Sequence, residues 1–381
     1  MKIALLGFGT VGVGVYEMLR NDPELECRYV LVRPGKERES FMVSDIRTIT
    51  GDPSVDAVAE VMGGLEPAFS YACAALRAGK HFITSNKALV AAHGPELSAL
   101  AQENGCAFLF SAACGGAVPF LHNLVAAAVS DSIRTVGGIL NGTTNYMLDA
   151  VQRRGMSYDE ALRDAQALGY AEADPTADVS GLDSLRKIML AAAVAYRMLP
   201  TEGFALEGIE SFTAEDAAAL RERRLICRLV GEALPCGDTV SALVEPVLFP
   251  ESAVECGVLT NFNLARYEGE NCGPMYFIGQ GAGRYPTASA VVRDLLFAAR
   301  GVREMLPAGC RRVRADCSHR IRRYYLRVSG CIEPLPVMEE AAVRDGVLRG
   351  FTGELSVSEM HGYISELRQS GKNVFFAAIG E

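Results

Sequence analysis

Hydrophobic and polar positions in the first third of the chain alternate between two periods. Short apolar runs typical of buried strands are separated by stretches with the repeat of an amphipathic helix. The predicted strands lie at 3–6, 29–32, 57–62, 81–84 and 107–110, and the intervening helices include 11–19 and 88–103. This alternation predicts an α/β fold with a Rossmann-type, doubly wound parallel sheet. Only a short, irregular stretch separates the second strand from Asp56, so we expect one crossover there to be reduced or missing.

The pattern changes after Pro119 and predicts a second domain of α+β type. Its predicted elements are helices at 120–129 and 288–300, successive helices up to residue 198, and strands at 133–140, 224–233, 240–249 and 275–278. Beyond residue 311, charge-rich sequence and strand-like runs at 323–328 and 374–379 indicate a small appended module. We therefore expect a first domain at 1–118 with part of 286–305, a second at 119–305, and a module at 311–381.

Composition narrows the class of protein. A chain of 381 residues with 49% hydrophobic content is long enough for two or three domains with sizeable cores. The net charge of −9 gives no general reason to bind nucleic acid, although residues 311–323 are locally basic. Eleven cysteines, mostly in apolar runs and without a CxxC pair, indicate reduced thiols rather than a zinc or iron–sulfur site. With no visible signal peptide or membrane span, we expect a cytoplasmic protein without membrane or nucleic-acid partners.

A glycine-rich motif follows the first predicted strand and opens the first helix. Its residues are Gly7, Phe8, Gly9, Thr10, Val11 and Gly12. Gly7 permits the tight turn, Gly9 lets the backbone approach a pyrophosphate, and Gly12 lets the helix pack on the strand. Amide groups at the helix start would then hold the phosphates. Because strand, motif and helix occur in this order, we predict a dinucleotide site rather than an ordinary glycine turn.

Basic residues occupy the end of the second strand, where NAD-binding proteins carry an acid for the ribose 2'-hydroxyl. Arg33 takes that place, and Lys36 and Arg38 follow. A 2'-phosphate is the better partner for these side chains, so we expect NADP(H) to be preferred and NAD(H) to be the second cofactor. A solvated charge cluster in a surface loop is the alternative.

Two later strand ends are expected to face the same cofactor, because ligands of open α/β sheets bind at the carboxyl ends of strands. The strand at 57–62 ends in Gly63 and Gly64, and the strand at 81–84 is followed by a polar run that ends in Lys87. A simple turn and a surface lysine at a helix start are the alternatives.

Two segments of the second domain, 138–146 and 169–187, are too polar to serve packing alone. Asp183 and Lys187 lie four residues apart on a predicted helix, which places them on one face. An exposed ion pair, worth only about 0.3–0.5 kcal/mol, is one interpretation. Apolar residues continue along the same line, and the half-buried face that they indicate favours a functional acid and lysine.

Together these segments resemble the homoserine dehydrogenases. The matching stretches run in the family's order as far as residue 305 and are the glycine-rich start, 60–67, 85–87, 138–146, 169–187, 279–283 and 286–288. The resemblance implies NAD(P)H-dependent, reversible reduction of L-aspartate 4-semialdehyde to L-homoserine, in the threonine and methionine branch of the aspartate pathway. It also implies that the first domain binds the cofactor, that the second binds substrate and dimerises, and that the protein is a homodimer or a dimer of dimers.

The resemblance further implies roles for single residues. Lys187, beside Asp183, matches the proposed proton donor, and Lys87 matches a lysine next to nicotinamide and substrate. Residues that match Glu172 and Asp183 bind the amino acid part of homoserine. The glycine-rich loop around Gly283 approaches the cofactor from the second domain. The other matching residues line the substrate pocket: Gly169, Tyr170, Thr143 and Asp178.

One departure concerns a monovalent-cation site that the resemblance implies. Many members of the family carry a glutamate at the position of Ser111, where it helps backbone carbonyls hold the ion. The carbonyls of Cys114, Gly116 and Val118 remain as candidate ligands. Because loss of the charged ligand should weaken a site for a hard cation, we predict that activity depends only weakly on sodium or potassium.

The tail partly resembles the ACT regulatory domain with which many homoserine dehydrogenases end, a βαββαβ unit. Residues 322–328, 356–367 and 374–379 match its first strand, second helix and last strand. In place of a polar, glycine-containing loop, the segment 329–336 carries Pro334 and Pro336, which lack amide donors. We therefore predict a reduced, ACT-like C-terminal module with weak or absent feedback inhibition.

Two other functions are compatible with parts of this pattern. One is a dehydrogenase with the same architecture that acts on a different amino acid. The other is a nucleotide-binding sensor without catalytic activity, and the presence of both Lys87 and Lys187 argues against it, because a binder needs no proton donor.

Overall fold

The computed structural model describes residues 1–20, 22–330, 333 and 335–380. Its strands, numbered in chain order, are β1 (Lys2–Leu6), β2 (Glu26–Leu31), β3 (Met42–Val43), β4 (Ala57–Glu60), β5 (His81–Thr84), β6 (Phe108–Leu109), β7 (Ile133–Ile139), β8 (Met198–Glu202), β9 (Ala205–Leu206), β10 (Leu225–Cys236), β11 (Thr239–Pro250), β12 (Phe262–Gly269), β13 (Gly273–Gln280), β14 (Arg311–Arg314), β15 (Ile321–Arg322), β16 (Tyr324–Ser329), β17 (Met338–Arg344), β18 (Val347–Thr352), β19 (Leu355–Ser356) and β20 (Asn373–Ile379). Its α-helices are α1 (Thr10–Leu19), α2 (Ile46–Thr50), α3 (Ala68–Arg77), α4 (Lys87–Glu103), α5 (Phe120–Ser130), α6 (Gly142–Arg154), α7 (Tyr158–Ala167), α8 (Thr176–Val179), α9 (Leu182–Tyr196), α10 (Ala214–Glu222), α11 (Arg284–Ala299) and α12 (Val357–Gln369). Within these ranges, no helix is both long and apolar enough to cross a membrane.

The chain forms two compact units, and the first comprises Met1–Ile133, Met189–Leu199 and Arg266–Arg312. It contains a six-stranded sheet in the order β3-β2-β1-β4-β5-β6, and neighbouring strands are parallel. Every residue of β4 is buried, as are the last four of β1, which explains their continuous apolar sequence. This sheet confirms the predicted Rossmann-type fold.

The connection between β2 and β4 is short of helix, as the sequence predicts. It contains the two-residue strand β3 and the five-residue helix α2. Asp45 caps α2 by accepting a hydrogen bond from the Arg47 amide. A helix this short covers little of the sheet, so the crossover is present in reduced form.

The second unit comprises Arg134–Ile188, Pro200–Ala265 and Val313–Glu381. Its strands follow the order β12-β7-β10-β11-β20-β16-β18-β17, with β9 against β11. The hairpin of β10 and β11 pairs in register from Leu225 opposite Pro250 to Cys236 opposite Thr239, so both strands are longer than predicted. The mixture of this sheet with several helices confirms the predicted α+β character.

The C-terminal strands continue the same sheet. The strand β20 runs parallel to β11, with Val247 opposite Ala378, and antiparallel to β16. Buried side chains of the body and the tail, including Phe249, Leu326 and Phe376, form one hydrophobic cluster. The tail therefore packs as part of the second unit, while the domain boundaries given above stay a prediction.

Among the strands of the tail that were not predicted are β17 and β18. Most side chains of β17 are exposed, so no apolar run marks it. In the order β20-β16-β18-β17, α12 precedes the last strand, and no helix lies between β16 and β17 in the described part of the tail. Of the proline-containing loop, Cys331, Ile332 and Pro334 lie outside the described residues.

The helix α11 begins four residues earlier than predicted, at Arg284. Gly283 precedes it with φ of 122°, a conformation that favours glycine. Pro286 lies in the first turn, where a missing amide proton costs no helical hydrogen bond. This proline is therefore compatible with a helix that starts ahead of residue 288.

Candidate active site

The glycine-rich motif has the backbone geometry that a dinucleotide requires. Gly7 has φ of 102°, and its amide donates to the Leu31 carbonyl at 3.1 Å. A Cβ on Gly12 would collide with the Gly7 carbonyl, whereas one on Gly9 would meet nothing within 4 Å. Gly9 precedes α1, whose first turn carries no acidic residue and no side-chain cap among the described residues. The start of α1, with Thr10 and Val11 as its first residues, thus fits a pyrophosphate.

Arg33 lies just beyond β2, at the same carboxyl edge of the sheet as the glycine-rich motif. The hydrogen bond from Gly7 to Leu31 joins the end of β2 to the motif. Arg33, Lys36 and Arg38 are all exposed, and the Lys36 amide closes a turn on the Arg33 carbonyl. This arrangement is compatible with a 2'-phosphate and with a solvated charge cluster.

A buried carboxylate, which sequence analysis did not single out, organises the ends of β4 and β5. Glu60 is fully buried and accepts hydrogen bonds from the amides of Met62 (2.6 Å) and Gly63 (3.1 Å) and from the Thr84 hydroxyl (2.6 Å). Gly63 has φ of 77°, so the turn requires glycine. An acidic residue at the end of an apolar strand, shortly before a pair of glycines, was the available signal.

Lys87 is the first residue of α4, and its neighbour Asn86 fixes the position of this helix. The Asn86 side chain accepts from the Leu89 amide as the helix cap (3.1 Å) and donates to the Gly64 carbonyl (2.6 Å). Asn86 is buried. The end of β4 and the start of α4 are therefore tied together, which places Lys87 at the carboxyl edge of the sheet, where cofactors bind.

Gly283 lies in the first unit together with the glycine-rich motif, whereas sequence analysis assigned it to the second domain. A Cβ on Gly14 would lie 2.8 Å from the Arg284 side chain, so α1 and α11 pack closely. The packing brings Gly283 to the side of α1, and its assignment to a domain stays a prediction.

Lys187 and Asp183 form a buried ion pair on α9 in the second unit. Their side chains are 2.7 Å apart, and the two residues are only 6% and 5% exposed. The Lys187 ammonium also donates to the Leu140 carbonyl, at the end of β7, over 2.5 Å. Burial excludes the exposed ion pair that the sequence allowed. An ammonium in this position can donate a proton to a bound oxygen.

Asn141 joins this pair to a second carboxylate. Its side-chain amide donates to Asp178 (2.7 Å) and to Asp183 (2.9 Å), while its oxygen caps α6 by accepting from the Thr144 amide. Burial raises the pKa of Asp178 above its usual value, and the nearby Asp183 charge adds to that rise. Asn141 lies in the polar segment 138–146 but was not among the predicted site residues. An asparagine between a strand and a helix is a cap signal.

The structure brings some predicted substrate residues together and leaves one apart. The Thr143 hydroxyl lies 2.6 Å from the Tyr170 carbonyl and 3.1 Å from Asp178. Gly169, with φ of 73°, turns the chain after α7. Glu172 is exposed and lies outside the network of Asn141, and its role stays a prediction.

The predicted cation ligands lie in a turn of the first unit beside a buried carboxylate. Ser111 donates to Asp294 from its amide (2.8 Å) and its hydroxyl (2.7 Å), and His122 lies 2.7 Å from the same carboxylate. Because three groups already bind Asp294, it is poorly suited to replace a glutamate ligand. The turn that would supply the carbonyl ligands contains Cys114, Gly116 and Val118, and the cation site stays a prediction.

Comparisons with known proteins agree with this geometry. The family model for homoserine dehydrogenase matches residues 119–296, and the model for the NAD binding domain of homoserine dehydrogenase matches residues 7–111. The homoserine dehydrogenase of Bacillus subtilis (strain 168) is 37% identical over 80% of this chain and 74% of that protein. The homoserine dehydrogenase of Mycobacterium tuberculosis is 35% identical over 97% of this chain and 86% of that protein.

A crystal structure of a homoserine dehydrogenase from Thiobacillus denitrificans is also similar. It superposes with a TM-score of 0.86 at 28% identity, over 100% of this chain and 98% of that chain. Sequence and fold thus agree over nearly the whole length. The chain belongs to the homoserine dehydrogenase family and is an oxidoreductase with an NAD(P)-binding domain.

Proposed function

We propose that this protein reversibly reduces L-aspartate 4-semialdehyde to L-homoserine, in the branch that leads to threonine and methionine, with NADP(H) preferred over NAD(H). The observation that carries the proposal is the buried ammonium of Lys187, held between the Asp183 carboxylate at 2.7 Å and the Leu140 carbonyl at 2.5 Å. A buried ion pair costs desolvation energy, and its position at a strand end next to a second carboxylate supports a catalytic purpose.

The first unit would bind the cofactor. The amides at the start of α1 would hold the pyrophosphate, and Arg33 would hold a 2'-phosphate. When bound, the nicotinamide would supply hydride to the aldehyde carbon or accept it from C4 of homoserine. Lys87, at the carboxyl edge of the same sheet, would contact the bound nicotinamide and substrate.

Lys187 would act as the proton donor. Arrival of hydride makes the aldehyde oxygen an alkoxide, and an ammonium in contact with it both stabilises the charge and supplies the proton. Asp183 orients the ammonium by accepting one of its hydrogen bonds. In the oxidation direction, Lys187 in its neutral form would take the proton from the homoserine hydroxyl.

The carboxylates around Asn141 would bind the substrate's amino group. Asp178 and Asp183 both accept from the Asn141 amide, so their negative charges lie close together. A substrate ammonium between them would relieve that repulsion. Glu172, exposed on the loop before α8, would close on the same ammonium.

An edge strand supports the proposal of a homodimer. The strand β13 is terminal in its sheet, and its Met275, Tyr276 and Ile278 are 38–55% exposed. An apolar edge strand invites pairing with a second copy of the chain. Light scattering after size-exclusion chromatography would show whether the protein is a dimer.

We also propose that the protein works in the cytoplasm.

A spectrophotometric assay tests the proposed function. L-Homoserine and each oxidised cofactor in turn are mixed with the protein, and the appearance of reduced nicotinamide is followed. We expect turnover with both cofactors and a higher kcat/KM with NADP. Faster oxidation of a different amino acid would contradict the substrate, and tight cofactor binding without oxidation of any hydroxy amino acid would favour the sensor.

A further inference from the structure

The main-chain carbonyl of Leu140 accepts hydrogen bonds from two buried side chains. The Lys187 ammonium lies 2.5 Å away and the Asn263 amide nitrogen 2.8 Å away. Asn263 belongs to β12, Lys187 to α9, and each is at most 6% exposed. One carbonyl therefore connects the predicted proton donor to an asparagine that the resemblance did not assign.

Two glycines allow β12 to come close to Leu140. A Cβ on Gly138, which has φ of 141°, would collide with the Leu264 carbonyl, and a Cβ on Gly142 would lie 2.5 Å from the Asn261 carbonyl. Both glycines flank Leu140 in the segment 138–146. A side chain at either position would push β12 away and break the contact between Asn263 and Leu140.

The orientation of the Asn263 amide follows from its partner. Only the NH2 group can donate to a carbonyl, so the nitrogen faces Leu140 and the side-chain oxygen faces away. That oxygen is buried and has no hydrogen-bond partner among the described residues. A buried unpaired acceptor is costly, and a leucine of similar size would avoid the cost. The donor of Asn263 therefore has a use that packing does not explain.

We propose that Asn263 is a positioning residue for proton transfer by Lys187, acting through the Leu140 carbonyl; this rests on the proposed function. Two of the groups that bind the ammonium are each held by an asparagine. Asn141 donates to Asp183 over 2.9 Å, and Asn263 donates to the Leu140 carbonyl over 2.8 Å. Holding these two acceptors in place restricts where the Nζ atom can lie, as efficient proton transfer requires.

Two substitutions test the role of the donor. Asn263→Leu removes it, and we expect kcat for homoserine oxidation to fall at least about tenfold, since small misplacements of a catalytic group have such effects, while cofactor affinity stays unchanged. Asn263→Asp can donate only when its carboxyl is protonated, and burial raises the pKa of such a group. Its kcat relative to the unmodified protein should therefore fall as pH rises. Asp178, Asp183 and Lys187 are present in both proteins, so the ratio isolates the new group.

Gln152 provides a matched control in the same unit. It is buried, and its amide donates to the carbonyls of Leu148 (2.9 Å) and Cys227 (3.0 Å). Gln152→Leu and Gln152→Glu should lower the Tm but leave kcat unchanged and its ratio to the unmodified protein independent of pH. Unchanged kcat in Asn263→Leu, or a pH-independent ratio in Asn263→Asp, would overturn the proposal.

A second readout does not depend on turnover. The rate at which an amine-reactive reagent labels Lys187, measured by mass spectrometry, reports how firmly its ammonium is held. We expect faster labelling in Asn263→Leu than in Gln152→Leu, and equal rates would overturn the proposal. If the unmodified protein does not oxidise homoserine, the proposed function fails, and labelling alone decides the role of Asn263.

Discussion

Replacing Lys187 tests the proton donor most directly. Lys187→Ala removes the ammonium from a site where both members of the ion pair are nearly inaccessible. General acid–base groups contribute about 10²- to 10⁴-fold to rate, so kcat should fall by at least about 100-fold. The proposed cofactor ligands are other residues, so the dissociation constant of the cofactor should barely change.

The same substitution leaves the Asp183 carboxylate buried without its lysine. Removing one member of a buried pair costs about 3–5 kcal/mol, a large part of the stability of a typical domain. The variant Lys187→Arg is therefore measured beside Lys187→Ala. Arginine keeps the positive charge beside Asp183 but does not release its proton at accessible pH. We expect Lys187→Arg to retain more stability than Lys187→Ala and to share its low kcat.

Lys80 is the matched control for loss of a buried lysine. It is 3% exposed and donates to the carbonyls of Asp52 (2.7 Å) and Val55 (2.8 Å) in the first unit. Lys80→Ala should lower the Tm with little effect on kcat. Initial rates over a range of homoserine concentrations, with calorimetric titration of cofactor, separate these effects. An increase in KM at unchanged kcat in Lys187→Ala would refute the proton-donor role.

Four further outcomes are expected. Arg33→Asp should reduce or reverse the preference for NADP(H), and equal kcat/KM for both cofactors in the unmodified protein would contradict this. Activity should change little when sodium and potassium are removed at constant ionic strength, and Ser111→Glu should increase any dependence; loss of most activity in the unmodified protein would contradict it. L-Threonine should inhibit weakly or not at all, whereas half-inhibition below millimolar concentration would show a working effector site. Because the pKa of Asp178 is raised, the stability due to its neutral form is lost as pH rises through that pKa. Asp178→Asn should therefore reduce the change of Tm with pH in this range. An unchanged dependence of Tm on pH would show that Asp178 does not cause it.

The nucleotide-binding fold was predictable because its signals are local. Each strand of the first sheet is a short apolar run, and the glycine-rich turn must follow the first of them. The strand β17 illustrates the opposite case. Its exposed side chains carry no apolar pattern, and its pairing with β18 is a contact between segments that only the folded chain brings together.

The site was predictable to the extent that its residues are close in sequence. Asp183 and Lys187 share a helix face, so spacing alone pairs them. Their full burial depends on distant segments, and the sequence indicated only a half-buried face. Asn263 lies 123 positions from Leu140 in the chain, and a lone asparagine in an otherwise ordinary strand gives no signal of its own.

The arrangement of charges in the second unit suits a substrate that carries its own cation. Asp178 and Asp183 share one amide donor, Asn141, and the Lys187 ammonium pairs with Asp183. Asp178 is therefore the carboxylate whose ionised form is penalised, both by burial and by the Asp183 charge. A substrate ammonium would remove that penalty, since it favours the ionised form of the carboxyl group that it contacts. A keto or hydroxy acid without an amino group would leave the penalty in place, so on the proposed function we expect the site to bind an amino acid in preference to such an acid.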